Sequence, residues 1–198
     1  MVDNEHFKSF FDHFKCISAY TKSGDLPFQP ASFVWLKYAS KMDLEKVKIQ
    51  VHKSLLDSVL PGLLKADVVH KDLKIDNILY LPSSNKAVVC DFGVSVLRNG
   101  KMDPGPRGAM KYYPTVAFDN PNIYEPWCDS YFASLSLFEI LTETKLFPDL
   151  NPSQVIDLRR KGIYPTVDNY VEEKFRDGFL WIRKEWKEEE GKRWPTTK

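Results

Sequence analysis

Cysteine is scarce in this sequence: Cys16, Cys90 and Cys128 are the three among 198 residues. They are odd in number, and no pair stands at metal-ligand or redox-motif spacing. That excludes a disulfide framework or a zinc cluster and fits a reducing compartment. Net charge is almost absent, at +1 from 28 Lys and Arg against 27 Asp and Glu. Nucleic acid and acidic membrane are therefore not expected as partners, because binding either needs clustered cations. No apolar run is long enough to cross a bilayer. The opening Met1-Val2-Asp3-Asn4-Glu5-His6 also lacks the basic-then-apolar order of a secretory signal. The expected location is the cytoplasm or nucleus. Glycine is thin as well, with only Gly24 and Gly62 ahead of Gly93.

What is present describes a globular chain. Hydrophobic residues make up 43% and charged residues 28%, too apolar for disorder and enough for one sizeable core. Apolar residues at Leu44, Val47, Val51, Leu55, Val59 and Leu63 predict a helix over 43–65, capped by Asp43 and kinked at Pro61. Two β-type runs, Ile78 to Leu81 and Ala87 to Cys90, predict a hairpin turning through Pro82, Ser83, Ser84 and Asn85. A Pro/Gly-punctuated stretch from Arg98 to about Pro126 reads as a long functional loop. Beyond it, Asp129 to Glu143 predicts a buried helix. Further helices are expected over Ser153 to Lys161, capped by Ser153 and stopped by Gly162, and over Val171 to Glu189.

The chemistry-bearing string is His70-Lys71-Asp72-Leu73-Lys74-Ile75-Asp76-Asn77, with Asp91-Phe92-Gly93 after the hairpin. Phosphoryl transfer needs a carboxylate to orient or deprotonate an attacking hydroxyl, a cation for the phosphoryl charge, and oxygen ligands for magnesium. Asp72 suits the first role, Lys74 the second, and Asn77 with Asp91 the third. Each short motif alone is commonplace, the first most often a surface loop and the second most often a turn. Their order, spacing and intervening hairpin are not.

These residues resemble the catalytic loop and magnesium-binding motif of protein kinases, whose pattern is H-R-D-L-K-x-x-N followed by D-F-G. The resemblance extends from Tyr20 to Trp194 and implies an α+β, mainly α fold: a kinase-like helical C-lobe with a catalytic-loop β-hairpin and an incomplete N-lobe. It implies ATP and Mg²⁺ as cofactors and a protein substrate or another kinase as partner. His70 is expected as structural support, and Asp129 as a brace for the catalytic-loop backbone or as a plain N-cap. Lys74, two residues after the expected base, resembles the serine/threonine-specific branch.

The departures from the family pattern are specific. Lys71 stands where Arg is usual, losing the planar fork that pairs with a phosphorylated loop residue. In Gly108 to Val116, which resembles the end of an activation segment, Thr115 occupies the place of the family's Glu. Arg193, similar to its usual Arg partner, would find no carboxylate there. Ser95, Tyr112 and Tyr113 are the hydroxyl residues between Phe92 and Pro114, and the two tyrosines read equally as packing aromatics. The family's glycine-rich loop and strand Lys have no counterpart in this chain. Residues 1–26 are expected as a remnant of the N-lobe and hinge, with the backbone near Tyr20 toward adenine, or as an amphipathic helix carrying Phe7, Phe10, Phe11, Phe14 and Ile17. Residues 27–198 are expected as the C-lobe. His6, His13 and His52 read as ordinary histidines rather than metal ligands.

Two functions follow. One is phosphoryl transfer from ATP to a serine or threonine hydroxyl, weak in this chain alone. The other is a catalytically inactive lobe that mimics a kinase and binds a kinase or its substrate.

Overall fold

The spacing of apolar residues around the loop 70–77 produces helices that share one core with a small sheet. The structure is a computed structural model, and it describes residues 29–30, 41–81, 84–97, 110–119 and 126–193. Within these the chain is mainly helical with short antiparallel strands. Strand β1 (Gln29–Pro30) pairs with β3 (Ile78–Leu81), which pairs in turn with β4 (Lys86–Val89). Strand β2 (Val68–Val69) pairs antiparallel with β5 (Val96–Leu97).

The helix expected over 43–65 is three pieces. Helix α1 (Lys41–Ser54) runs into a π-helical turn (Leu55–Val59) and then α2 (Leu60–Lys65). Asp43 lies inside α1 and is not its cap. Just ahead of Pro61, where a kink is expected, the ladder widens: the Leu60 N–H donates to the Leu55 carbonyl. Proline has no N–H and crowds the carbonyl four residues back, and a wider turn beside it accommodates both. Ser54, at the junction, accepts the buried Ala87 amide at 2.9 Å, fastening α1 to the hairpin.

The hairpin forms in the register Ile78↔Val89 through Leu81↔Lys86, one residue earlier on its second strand than expected. Residues 82–83 lie outside those described. Asn85 turns the chain at φ 52°, a left-handed value that asparagine tolerates well, and its Oδ1 accepts the Tyr80 hydroxyl at 2.5 Å.

Helix α3 (Thr115–Asp119) and a 3₁₀ turn at Met110–Tyr112 occupy part of the stretch expected to be irregular, and 98–109 and 120–125 lie outside the described residues. Helix α4 (Pro126–Thr142) is the centre of the core, with every residue from Tyr131 to Leu141 buried. A helix apolar nearly all round has no solvent face to offer, so other elements cover each side. Helix α5 (Pro152–Arg160) is capped by Asn151 rather than Ser153. Asn151 and Gln154 exchange side-chain and backbone hydrogen bonds in a capping box, with Pro152 in the first turn. Gly162 ends it at φ 70°, its N–H donating to the Arg159 carbonyl while that of Ile163 reaches Leu158.

The last expected helix is two: α6 (Asn169–Lys174), capped by Asp168, and α7 (Arg176–Arg193), separated by Phe175, whose φ of −119° breaks the helix. Phe175 is buried at that corner. Helix α7 lies along α4, where Trp186 meets Phe138 at 5.6 Å between ring centroids and donates its indole N–H to the Ser134 hydroxyl at 3.1 Å.

Lys48 closes the far end of α4. Its ammonium, 6% exposed, donates to the Leu141 carbonyl at 3.0 Å and to Glu143 at 2.5 Å, and lies 5.3 Å from the centre of the Phe175 ring. A cation suits the negative end of a helix. Lys48→Met, which keeps the stem and removes the charge, is expected to lower stability by about 1–3 kcal/mol, because a buried carbonyl loses its donor. Urea denaturation measures this, and an unchanged midpoint would show that Leu141 needs no cation.

Candidate functional site

The candidate site is built where β2, the loop 70–77 and the hairpin meet. The turn after β2 requires a left-handed residue, and Lys71 supplies it at φ 68°. Such a conformation in a residue with a Cβ costs about 1–2 kcal/mol, so something must hold it. Asp129 does: its carboxylate accepts the His70 N–H at 2.7 Å and the Lys71 N–H at 2.9 Å. Asp129 lies in the first turn of α4, four residues into the helix, so it braces the loop and is not the N-cap.

Burial pushes the Asp129 carboxyl up to about 7, against the pull of the two amides and the Lys71 cation. Lys71 is 1% exposed. Its charge is interior and lies near enough to Asp129 to favour the ionised carboxyl.

His70 is wholly buried and stays neutral, its pKa lowered to about 4 by desolvation, which outweighs the hydrogen bond to Cys90 and the charges of Asp72 and Asp91. Its partners define the tautomer. Nε2 lies 3.0 Å from the Cys90 carbonyl and must donate, while Nδ1 accepts the Asp72 N–H at 3.3 Å. The ring meets Phe92 edge-on at 4.6 Å, and the His70 carbonyl accepts the Ser95 hydroxyl at 3.1 Å. One imidazole thus joins the catalytic loop to the residues on both sides of Asp91.

Three of the expected site residues touch. Lys74 Nζ lies 2.7 Å from Asp72 Oδ2, with Lys74 25% and Asp72 5% exposed. Asn77 Nδ2 donates to the same oxygen at 2.9 Å and to the Asp72 carbonyl at 2.8 Å. Those two acceptors define the amide's orientation: nitrogen toward Asp72, oxygen away. Asp91 stands one residue beyond the point where the Cys90 N–H donates to the Asn77 carbonyl at 2.9 Å. Its backbone is left-handed at φ 63°, its side chain is exposed, and Oδ1 accepts the Gly93 N–H at 3.3 Å.

The donor chemistry fits magnesium: one amide oxygen and one carboxylate, hard ligands that leave most positions to water and phosphate. No group of three or more His, Cys, Asp or Glu able to hold a metal occurs among the described residues.

Beside the loop opens a cavity of about 800 Å³, lined by Lys74, Asp76, Lys111, Tyr112, Glu139 and Glu143 among others. Tyr112 is not simply a packing aromatic: its hydroxyl donates to Glu139 Oε2 at 2.5 Å, while Oε1 accepts the Leu146 N–H at 2.8 Å. Burial raises the pKa of both groups, that of Glu139 against its hydrogen bonds. Tyr113 does pack, buried edge-on against Phe132 at 5.1 Å. Thr115 is fully buried at the start of α3, and the side chain of Arg193 lies outside those described. The residues expected to form the N-lobe remnant and hinge, with His6 and His13, lie outside the described residues too. Sequence reading missed Glu139 and Ser136. Ser136 donates to the Leu73 carbonyl at 2.6 Å. The available signal was a polar residue two turns after Asp129 in an otherwise apolar helix.

Asp129→Ala is expected to cost about 2–4 kcal/mol, since it strands two buried amides; Asp129→Asn, with one acceptor oxygen, should fall between. Chemical denaturation decides it, and a loss below about 1 kcal/mol would remove Asp129 as the brace.

His70 and Asp129 also act oppositely on pH dependence. Between about pH 4 and 6.5 the unfolded chain protonates His70 and the folded chain does not, so this contribution is present above 6.5 and lost as pH falls toward 4. Asp129, its folded pKa raised, contributes stability present below about 4 and lost as pH rises through 7. Relative to wild type, His70→Asn should make stability fall more steeply with rising pH across 4–6.5, and Asp129→Asn should do the reverse. Parallel stability–pH curves for all three would contradict both shifts.

The family model for the protein kinase domain matches residues 30–180. Among similar proteins, a Dictyostelium discoideum protein named as a probable inactive serine/threonine-protein kinase is 29% identical over 105 residues, 53% of this chain and 5% of its own length. A second from that organism, gdt8, named as a probable serine/threonine-protein kinase, is 29% identical over 162 residues, 79% of this chain and 12% of its length. The Arabidopsis thaliana SNF1-related protein kinase catalytic subunit alpha KIN12 is 29% identical over 157 residues, 73% of this chain. The chain spans between 5% and 31% of the length of these relatives.

Proposed function

Since the chain belongs to the protein kinase superfamily, we propose that its loop 70–77 and Asp91 form a phosphoryl-transfer site that moves the γ-phosphate of ATP to a serine or threonine hydroxyl of a protein. The observation that carries this reading is the contact of Asp72 with both Lys74 and Asn77 at 2.7 and 2.9 Å. Asp72 would accept or orient the acceptor hydroxyl's proton. Lys74, already beside it, would face the transferring phosphoryl. Asn77 and Asp91 would hold magnesium, which when bound neutralises charge on the nucleotide phosphates. The cavity lined by Lys74 and Lys111 is where an acceptor segment would lie.

A second reading has its own support. Of the two glycines ahead of Gly93, Gly62 sits inside α2 with open space around it, so it cradles no phosphate. One similar protein is named inactive. Transfer depends mainly on positioning and fixed electrostatics, so a site lacking phosphate cover would transfer slowly and could serve instead to bind a kinase or a kinase substrate.

The two readings separate in one assay. The purified chain is incubated with labelled ATP, Mg²⁺ and a generic protein acceptor, with Asp72→Ala and Asp91→Ala alongside. Slow transfer is expected, well below the usual range of about 1–100 s⁻¹, and lost at least about a hundredfold in either variant. Mg²⁺ with ATP should also raise the melting temperature of wild type and not of Asp91→Ala. Label incorporation that survives both substitutions would remove the proposed site. No transfer and no melting shift, with capture of a kinase that survives Asp91→Ala, would establish the binding reading.

A further inference from the structure

Asp129 and Ser136 stand seven residues apart in α4, two turns along the side that meets the catalytic loop. Asp129 takes the amides of His70 and Lys71, ahead of Asp72, and Ser136 donates its hydroxyl to the carbonyl of Leu73, behind it, at 2.6 Å. Ser136 and Leu73 are both fully buried. A helical serine or threonine commonly returns its hydroxyl to a carbonyl three or four residues back. Ser134 does this to Tyr131 at 2.6 Å and Thr142 to Phe138 at 2.8 Å. Ser136 instead reaches out of its own helix.

The carbonyl it holds belongs to the peptide plane that continues into the Lys74 nitrogen, and that N–H donates to the Asp72 carbonyl at 2.9 Å. One plane therefore sets the local turn and the direction in which the Lys74 side chain leaves toward Asp72 Oδ2. From this we infer that Ser136 is a positioning residue: its hydroxyl holds the Leu73–Lys74 peptide, and through it the Lys74–Asp72 contact. The inference rests on the phosphoryl-transfer reading for its consequence, though not for its geometry. Without the hydroxyl, a buried carbonyl lacks its donor, and the plane turns to find another. Lys74 turns with it.

The test compares wild type, Ser136→Ala and Ser136→Thr as full chains. Amide hydrogen exchange over residues 72–77 is expected to speed up about tenfold or more in Ser136→Ala while amides of α4 and α7 change little, and protection should return in Ser136→Thr. In the transfer assay kcat should fall about 10–100-fold with KM for MgATP and acceptor unchanged, since the loss is of alignment rather than binding. Faster exchange throughout α4 and α7, unaltered exchange in the loop, or a fall in kcat matched by a rise in KM would overturn the inference. Should Ser136→Ala not fold, Ser136→Cys, similar in shape with a weaker donor, is read by the same criteria. If wild type transfers no phosphate, the phosphoryl-transfer reading fails by itself, and the exchange measurement still decides whether Ser136 holds the loop.

Discussion

A single buried carboxylate holds the catalytic loop to the core. Asp129 accepts two consecutive amides that no strand or helix could satisfy, because the chain there turns through a left-handed lysine. Buried amides are almost always partnered, and a carboxylate can accept both at once. Everything downstream inherits that anchorage. His70 is placed so that its ring reaches Cys90, Asp72 follows with its amide on that ring, and Asn77 then ties Asp72 to the hairpin. The loop is a chain of contacts that begins at α4 and ends one residue short of Asp91.

Much of this was legible in the sequence, for identifiable reasons. The string from His70 to Asn77 and the later Asp91-Phe92-Gly93 carry their chemistry in residue type and spacing. The alternating runs on either side of Asn85 declared a hairpin whose pairing follows from a short turn. Helix α4 announced itself by Phe132, Leu135, Leu137, Phe138, Ile140 and Leu141. What escaped was decided by a choice between neighbouring caps or by contacts distant in sequence. Asn151 rather than Ser153 caps α5 because Pro152 occupies the first turn and Gln154 completes the capping box. The break at Phe175 lets that ring bury beside Lys48 instead of continuing one helix. Tyr112 reads as packing until Glu139, 27 residues on, is brought beneath it.

The chain belongs to the protein kinase superfamily, Asp72, Lys74 and Asn77 cluster in it, and two described residues, Lys71 and Thr115, depart from the family pattern. Lys71 is interior, near Asp129. Thr115 is buried where the family has an ion-pairing carboxylate. The activation-segment end is instead fastened by Tyr112 to Glu139 and by Lys111 to the Phe147 carbonyl.

The π turn between α1 and α2 has a geometric effect on the core. Val47, Val51, Leu55, Val59 and Leu63, all buried, recur every fourth residue. On an α-helix at about 3.6 residues per turn such a row winds round the axis by roughly 40° at each step, and over four steps it would pass to the opposite side. A turn of larger circumference at Leu55–Val59 winds back part of that drift. The drift is reduced rather than cancelled, and all five side chains from Val47 to Leu63 still reach the interior.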